Sequence, residues 1–285
     1  MKKIKVKIPA KINLTLDVIG KTENYHDISS LVCSIDIVDE ITVVKRKDDK
    51  ITLKMTGLPV NCPITDNNAY KAAALFQNTF KTGGVDIVVN KNIPVGGGLG
   101  GSSADIAGVL KALNLLFETD MNMVELAADL GSDAPYMING GYAVISGRGE
   151  KIERHNSQKT LYFLLITENA EISARACYKK FDQKKKEYPP CTAKAVTCLE
   201  NEDEQGLLAA IKNDLTAAAC EILPDIKFNL HALKRAGASA VTVAGSGPTV
   251  AAVFLEKKQR DAVYKKLKSL FDNSIIKAQT IVPNK

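Results

Sequence analysis

Residues 94–105 read Pro94-Val95-Gly96-Gly97-Gly98-Leu99-Gly100-Gly101-Ser102-Ser103-Ala104-Asp105, five glycines and two serines running into a helical pattern. Residues without a Cβ let backbone N–H groups converge on a ligand, and the open N–H groups of a following helix favour negative charge. The chemistry such a stretch could do is to hold an anion, and a phosphate above all. A flexible linker would gain nothing from Leu99 among the glycines or from an amphipathic helix directly after it. Gly96-x-Gly98-x-x-Gly101 matches the dinucleotide fingerprint in letters, but the segment about 20 residues on is helical and carries no ribose-binding strand end. Gly-Lys-Ser/Thr is missing too, so this is no Walker loop. Groups that act on a bound phosphate must come from elsewhere in the chain.

Four other places carry suitable side chains. Lys11 and Asn13 lie two residues apart in an alternating segment, which puts them side by side on one strand face; from position alone Lys11 reads as a solvated lysine. Tyr25-His26 could stack on and hydrogen-bond a heterocycle, or Tyr25 could simply pack on the domain. Asp133, in Gly131-Ser132-Asp133-Ala134-Pro135, reads equally as a reactive carboxylate or as a helix N-cap. Gly245-Ser246-Gly247-Pro248 makes a tight turn between two apolar runs.

The elements that must position these groups follow from periodicity. Every even position from 4 to 18 is apolar, which predicts one strand with a single buried face and Pro9 at an edge or bulge. Strands are expected over 31–44 and 51–55 in a mainly antiparallel sheet. A helix capped by Asp66 follows, then a strand over 85–89 that delivers the glycine loop. After the loop, Ile106, Val109, Leu110, Leu113, Leu116 and Phe117 fall at helical spacing, with Ser102 or Ser103 as cap and Asp105 in the first turn. Asn122 and Glu125 resemble a capping pair. The second half reads as a strand over 161–166, several helices, then strand 238–243, turn, strand 249–255, helix 257–270 and strand 274–281. That order predicts a small α+β sandwich, with domains over 1–155 and 156–285.

Composition excludes several classes. The net charge of +6 is mild, Trp is absent, and the lysines at 179, 180 and 184–186 read as a solvated loop, so no nucleic-acid partner is expected. Six cysteines form no C-x-x-C pair and three histidines show no ligand spacing, which argues against zinc and for reduced thiols in the cytoplasm. The Lys-alternating start is no signal peptide, and no segment reaches a membrane span, so no membrane partner is expected. Oligomeric state is left open.

Three stretches, Pro9-Ala10-Lys11-Ile12-Asn13-Leu14, the 96–105 loop and Val243-Ala244-Gly245-Ser246-Gly247-Pro248-Thr249, together resemble the motifs of the GHMP small-molecule kinases. Ala-Lys-Ile-Asn-Leu, Tyr25-His26 and Gly131-Ser132-Asp133-x-Pro135 point to the branch that phosphorylates a cytidine diphosphate methylerythritol. The resemblance implies a ribosomal-S5-like N-terminal domain, a ferredoxin-like C-terminal domain, and ATP and Mg²⁺ as cofactors. It also implies Asp133 as general base, Lys11 as charge stabiliser, and phosphate binding by the 94–103 loop. Asn67 and Lys91 match positions near the adenosine end. Asn13, Tyr25, His26, Tyr178, Gly245, Ser246 and Gly247 match positions on the substrate side, Tyr178 across the base from Tyr25-His26. The sequence departs from the family at Ser102-Ser103-Ala104, where a further Gly usually precedes two serines, and at Asn24, Asn68 and Ala174; none of these removes a catalytic group. A kinase for mevalonate, homoserine or a sugar, or a silent metabolite-binding relative, would share the loop.

Overall fold

A computed structural model of the chain describes residues 2–23, 25–120, 122–184 and 189–281. The first half runs β1 (Lys3–Asn13), β2 (Thr15–Lys21), β3 (His26–Lys45), β4 (Ile51–Gly57), α1 (Asn68–Phe80), β5 (Val85–Lys91), α2 (Gly101–Phe117), α3 (Met123–Ala128), α4 (Ala134–Asn139), β6 (Tyr142–Gly147) and β7 (Lys151–His155). The second runs β8 (Tyr162–Ile166), α5 (Ala174–Phe181), α6 (Thr192–Glu200), α7 (Glu204–Ala210), β9 (Lys212–Asn213), α8 (Thr216–Ile222), α9 (Asp225–Ala236), β10 (Ala240–Val243), β11 (Val250–Phe254), α10 (Lys257–Phe271) and β12 (Ile275–Gln279). Two compact units form, and neither is one continuous stretch. The first holds Met1–Ala10, Ile37–Val95 and Gly100–Gly140; the second holds Lys11–Asp36, Gly96–Leu99 and Gly141–Lys285.

β5 pairs antiparallel with the end of β3 and parallel with β4, and the β2–β3, β3–β6 and β6–β7 pairs are antiparallel too, so the pairing is mainly antiparallel, as the sequence predicted. Helices α1 and α2 pack on each other, with Phe76, Val109, Leu110 and Leu113 fully buried. Burying each such side chain stabilises the fold by about 1.5–3 kcal/mol. The cap of α1 is Asn67, whose carboxamide oxygen accepts from the Ala69 N–H, and not Asp66. Asn122 does cap α3, its oxygen taking the Glu125 N–H while its nitrogen meets the Glu125 carboxylate.

The second unit contains a four-stranded antiparallel sheet in the order β10-β11-β8-β12. Helices intervene between β8 and β10, and α10 joins β11 to β12. This is the ferredoxin-like layer expected of the C-terminal part. The predicted single strand breaks at Leu14 into β1 and β2; Lys5 and Lys7 are exposed as expected, but the odd positions from 11 to 17 are not solvated. Lys11, Asn13, Thr15 and Asp17 are as buried as the apolar residues between them. A both-sided burial of polar residues is tolerable only where each finds a hydrogen-bond partner, and these do. Lys179 and Lys180 belong to the last turn of α5 instead of a loop, and Lys180 and Lys184 both pair with Glu221. Lys185 and Lys186, like Asn24, lie outside the described residues.

All six cysteines are free. Burial pushes the thiols of Cys177 and Cys191 up to about 11 and about 12, and raises that of Cys33 as well.

Gly108 marks the tightest contact of α2: a Cβ there would lie 2.5 Å from Ile41 Cδ1 and 3.0 Å from Ile8 Cγ1. Gly108→Val should therefore destabilise the protein by about 1–3 kcal/mol through overpacking. Chemical denaturation checks this, and an unchanged midpoint would mean that α2 can move away from the strands.

Candidate active site

β1 and β3 bring Lys11, Asn13 and Ser30 together in the second unit. The Lys11 ammonium donates to Asn13 Oδ1 at 2.8 Å, and Asn13 Nδ2 donates to Ser30 Oγ at 2.8 Å. Lys11 is thus a buried, fixed cation, not a solvated one. Its backbone N–H donates to the Leu99 carbonyl at 3.0 Å, which ties the glycine loop to the strand. Gly98 has φ +77, and a Cβ on it would lie 2.0 Å from the Ala244 carbonyl oxygen, so only glycine permits this approach. A Cβ on Gly245 would in turn lie 3.6 Å from Asn13 Oδ1 and 3.7 Å from Lys11 Nζ. Three stretches separated in sequence, at 11–13, 96–99 and 243–247, therefore meet. Ser246 sits half-buried inside the turn closed by the Gly247 N–H on the Ala244 carbonyl. Asn213, which the sequence reading missed, holds that turn by donating to the Val243 and Gly245 carbonyls at 2.9 and 2.8 Å.

The same unit carries the aromatic cluster. Tyr25 is 53% exposed, with the Arg148 guanidinium 4.8 Å from its ring centre. The His26 imidazole stacks on Tyr178 at 4.7 Å and 18°. At that separation the two rings touch, so Tyr178 lies directly on the imidazole. His26 Nε2 sits 2.7 Å from Asp182 Oδ1, and Lys21 Nζ lies 2.6 Å from Oδ2. Hydrogen bonds from Lys21 first and His26 second hold the Asp182 carboxyl below its ordinary range. Of the three rings, Tyr25 is the most exposed.

In the first unit, α2 begins at Gly100, an N-cap with φ 78 and no side-chain cap, where the sequence suggested Ser102 or Ser103. Gly101, Ser102 and Ser103 form the first turn. Ser102 is exposed, while Ser103 is buried, its Oγ 3.6 Å from where a Cβ on Gly131 would be. Pro94 is half-buried and Gly97 buried ahead of them, and Gly96 faces the Glu171 side chain. Asp133 occupies the N-cap position of α4 but makes no side-chain cap bond, so capping does not account for its carboxylate.

Asp105 does not complement the helix dipole as expected. It pairs with Lys91 at 2.9 Å, and Lys91 also donates to Asp39 and to the Gly101 carbonyl. The Lys91 ammonium, matched above to the adenosine end, is only 2% exposed and engaged under the start of α2. Asp39 additionally accepts the N–H groups of Asn92 and Ile93 at 2.6 and 2.9 Å. The sequence held one signal for Asp39: a charge within an apolar strand must find a partner.

Comparison with known proteins bears on this arrangement. Residues 67–147 match the GHMP kinases N terminal domain and residues 195–273 the GHMP kinases C terminal. The chain belongs to the GHMP kinases. This kinase is 34% identical over 273 residues, 93% of its own chain and 92% of the relative, to a Listeria innocua protein named 4-diphosphocytidyl-2-C-methyl-D-erythritol kinase. A Bacillus pumilus protein of the same name is 32% identical over 93% of each chain. In fold, the kinase matches a crystal structure of 4-(cytidine 5'-diphospho)-2C-methyl-D-erythritol kinase with a TM-score of 0.81, at 24% identity over 97% and 98% of the two chains. It matches homoserine kinase from Cytophaga hutchinsonii with a TM-score of 0.78, at 17% identity over 98% and 95%. It is a small-molecule kinase with ATP as co-substrate. No helix among the described residues is long and apolar enough to cross a membrane.

Removing Lys91 would leave two buried carboxylates facing each other. Lys91→Met should lower stability by about 3–5 kcal/mol in denaturant titration, whereas a loss under about 1 kcal/mol would mean water reaches the pair. Burial pushes the Asp105 carboxyl up from 3.8 to about 6, against the pull of Lys91. Between those values the native state binds more protons than the unfolded one, so this group's contribution to stability falls as pH rises through that window. Asp105→Asn should flatten the pH dependence of Tm between pH 4 and 6, and an unaltered slope would assign it to other groups.

Proposed function

We propose that this kinase transfers the γ-phosphoryl group of ATP to the 2-hydroxyl of 4-diphosphocytidyl-2-C-methyl-D-erythritol, a step of non-mevalonate isoprenoid precursor synthesis. The observation that carries the reading is the meeting of Lys11, Asn13, Gly98 and Gly245 within one unit, in a chain whose relatives bear that name. The other fold neighbours act as a reminder that the scaffold alone does not select the acceptor.

Bound ATP would supply the group to be transferred and a good leaving group. The residues present suit it: the 17-residue α2 starts at a glycine with no side-chain cap, which leaves N–H groups of its first turn for an anion. Backbone N–H groups across residues 98–103 would hold the phosphates. Among the described residues no group of three or more His, Cys, Asp and Glu could hold a metal ion. Mg²⁺ therefore fits as an ion carried largely on phosphate oxygens.

Phosphoryl transfer asks the protein for position and charge compensation more than for covalent chemistry. Asp133, at its helix start, accepts the proton of the acceptor hydroxyl. Lys11, oriented by Asn13, steadies negative charge as it develops on the acceptor and the transferring group. Tyr25 stacks on the cytosine through the ring face that Arg148 covers, which requires Arg148 to swing aside, and His26 and Tyr178 form the neighbouring wall. Ser246 and the glycines beside it line the acceptor side.

ADP release in the presence of ATP and Mg²⁺ tests the reading, with 4-diphosphocytidyl-2-C-methyl-D-erythritol, mevalonate, homoserine and galactose compared as acceptors. Turnover of the first alone is expected; turnover of another in its place would overturn the substrate while keeping the kinase. Asp133→Asn should cut kcat by roughly 10²-fold or more with ATP affinity nearly intact. A near-wild-type rate would remove Asp133 as the base.

A further inference from the structure

The hydrogen bonds behind Lys11 have a direction that can be read atom by atom. An ammonium only donates, so the carboxamide of Asn13 must turn its oxygen to Lys11, and the contact of 2.8 Å is to Oδ1. Nδ2 is then committed to donate, and it meets Ser30 Oγ at 2.8 Å. The Ser30 hydroxyl gives its own proton to the Thr15 carbonyl, which leaves its oxygen as the acceptor that Nδ2 requires. Ser30 is fully buried.

The chain continues without reversing. Thr15 Oγ1 accepts the Leu31 N–H at 2.9 Å and lies 2.8 Å from Thr192 Oγ1, whose proton goes to the Ser29 carbonyl at 3.0 Å. The Thr192 and Cys191 N–H groups end on the buried Asp17 carboxylate at 2.8 and 2.9 Å. Asp17 thereby serves as the cap of α6 from a distant strand. Each member is buried and satisfied in one sense only, the condition under which such a network fixes an orientation.

We infer that Ser30 is a positioning residue for phosphoryl transfer: it fixes which end of the Asn13 carboxamide faces Lys11, and so seats the ammonium. The inference rests on the proposed role of Lys11. Without the Ser30 acceptor, the carboxamide either keeps a buried, unsatisfied Nδ2 or rotates and presents NH₂ to NH₃⁺. Either outcome displaces the cation from where the proposed reaction needs it.

A double-mutant cycle reads this. Ser30→Ala should lower kcat about tenfold with the KM for ATP within about twofold. In an Asn13→Ala background the same change should cost nothing further. Ser34→Ala, which deletes another buried serine of β3 that accepts from the Gly141 N–H, should lower Tm comparably and leave kcat alone. An unchanged kcat in Ser30→Ala, or an equal loss with and without Asn13, would overturn the inference. If another alcohol proves to be the acceptor, the substrate reading fails and the cycle is run with that alcohol. A measurement on the wild type needs no variant to fold and no substrate: the Asn13 side-chain amide protons should exchange with solvent at least about tenfold more slowly than those of exposed asparagines. Exchange at the exposed rate would also overturn it.

Discussion

A strand that buries both of its faces while half of its residues are polar is the constraint on which the rest of the second unit turns. Lys11, Asn13, Thr15 and Asp17 alternate with Ile12, Leu14 and Leu16, and none of the seven is more than 4% exposed. Such a strand is stable only if its surroundings provide acceptors and donors at fixed points, because each buried group left unpaired costs about 1–3 kcal/mol. Ser30 on the neighbouring strand, Thr192 at the start of α6 and the N–H groups above Asp17 are those points. Local sequence, pairing and chemistry are thus solved by one set of contacts.

The first unit solves a different problem with similar means. Under the role proposed for it, the start of α2 needs its N–H groups for an anion; a side-chain cap would take up one of them, and α2 has none. Its hold comes from below, where Lys91 grips the Gly101 carbonyl and shares two carboxylates. Buried ion pairs of this kind add little net stability compared with an apolar core, but they fix geometry and are costly to break.

Much of this was legible in the sequence, and the failures have physical causes. Periodicity found α2, β5, α10 and an α+β order in the second half; α10 keeps a wet face, whereas α2 was found by the spacing of its large apolar residues although it is buried nearly all round. The alternation at 4–18 was read as one strand with a single wet face, which holds at Lys5 and Lys7 and fails from Lys11 to Asp17, because period two reports which residues share a face and not whether that face is covered. Motif spacing brought Lys11, Gly98 and Gly245 to attention, but not Ser30, Asn213 or Asp39, whose partners lie 17, 30 and 52 residues away. Tyr178 lies on His26, a ring contact that spacing alone cannot give.

The distribution of thiols has a practical side. Cys33, Cys177, Cys191 and Cys198 are buried, whereas Cys62 is exposed just ahead of α1. Burial raises the thiols of all four buried cysteines, and alkylation proceeds through the thiolate. A dye or spin label offered to the folded protein would therefore attach at Cys62 well before it reached those four. The chain carries its own reporter position in the segment leading to Asn67, available without engineering.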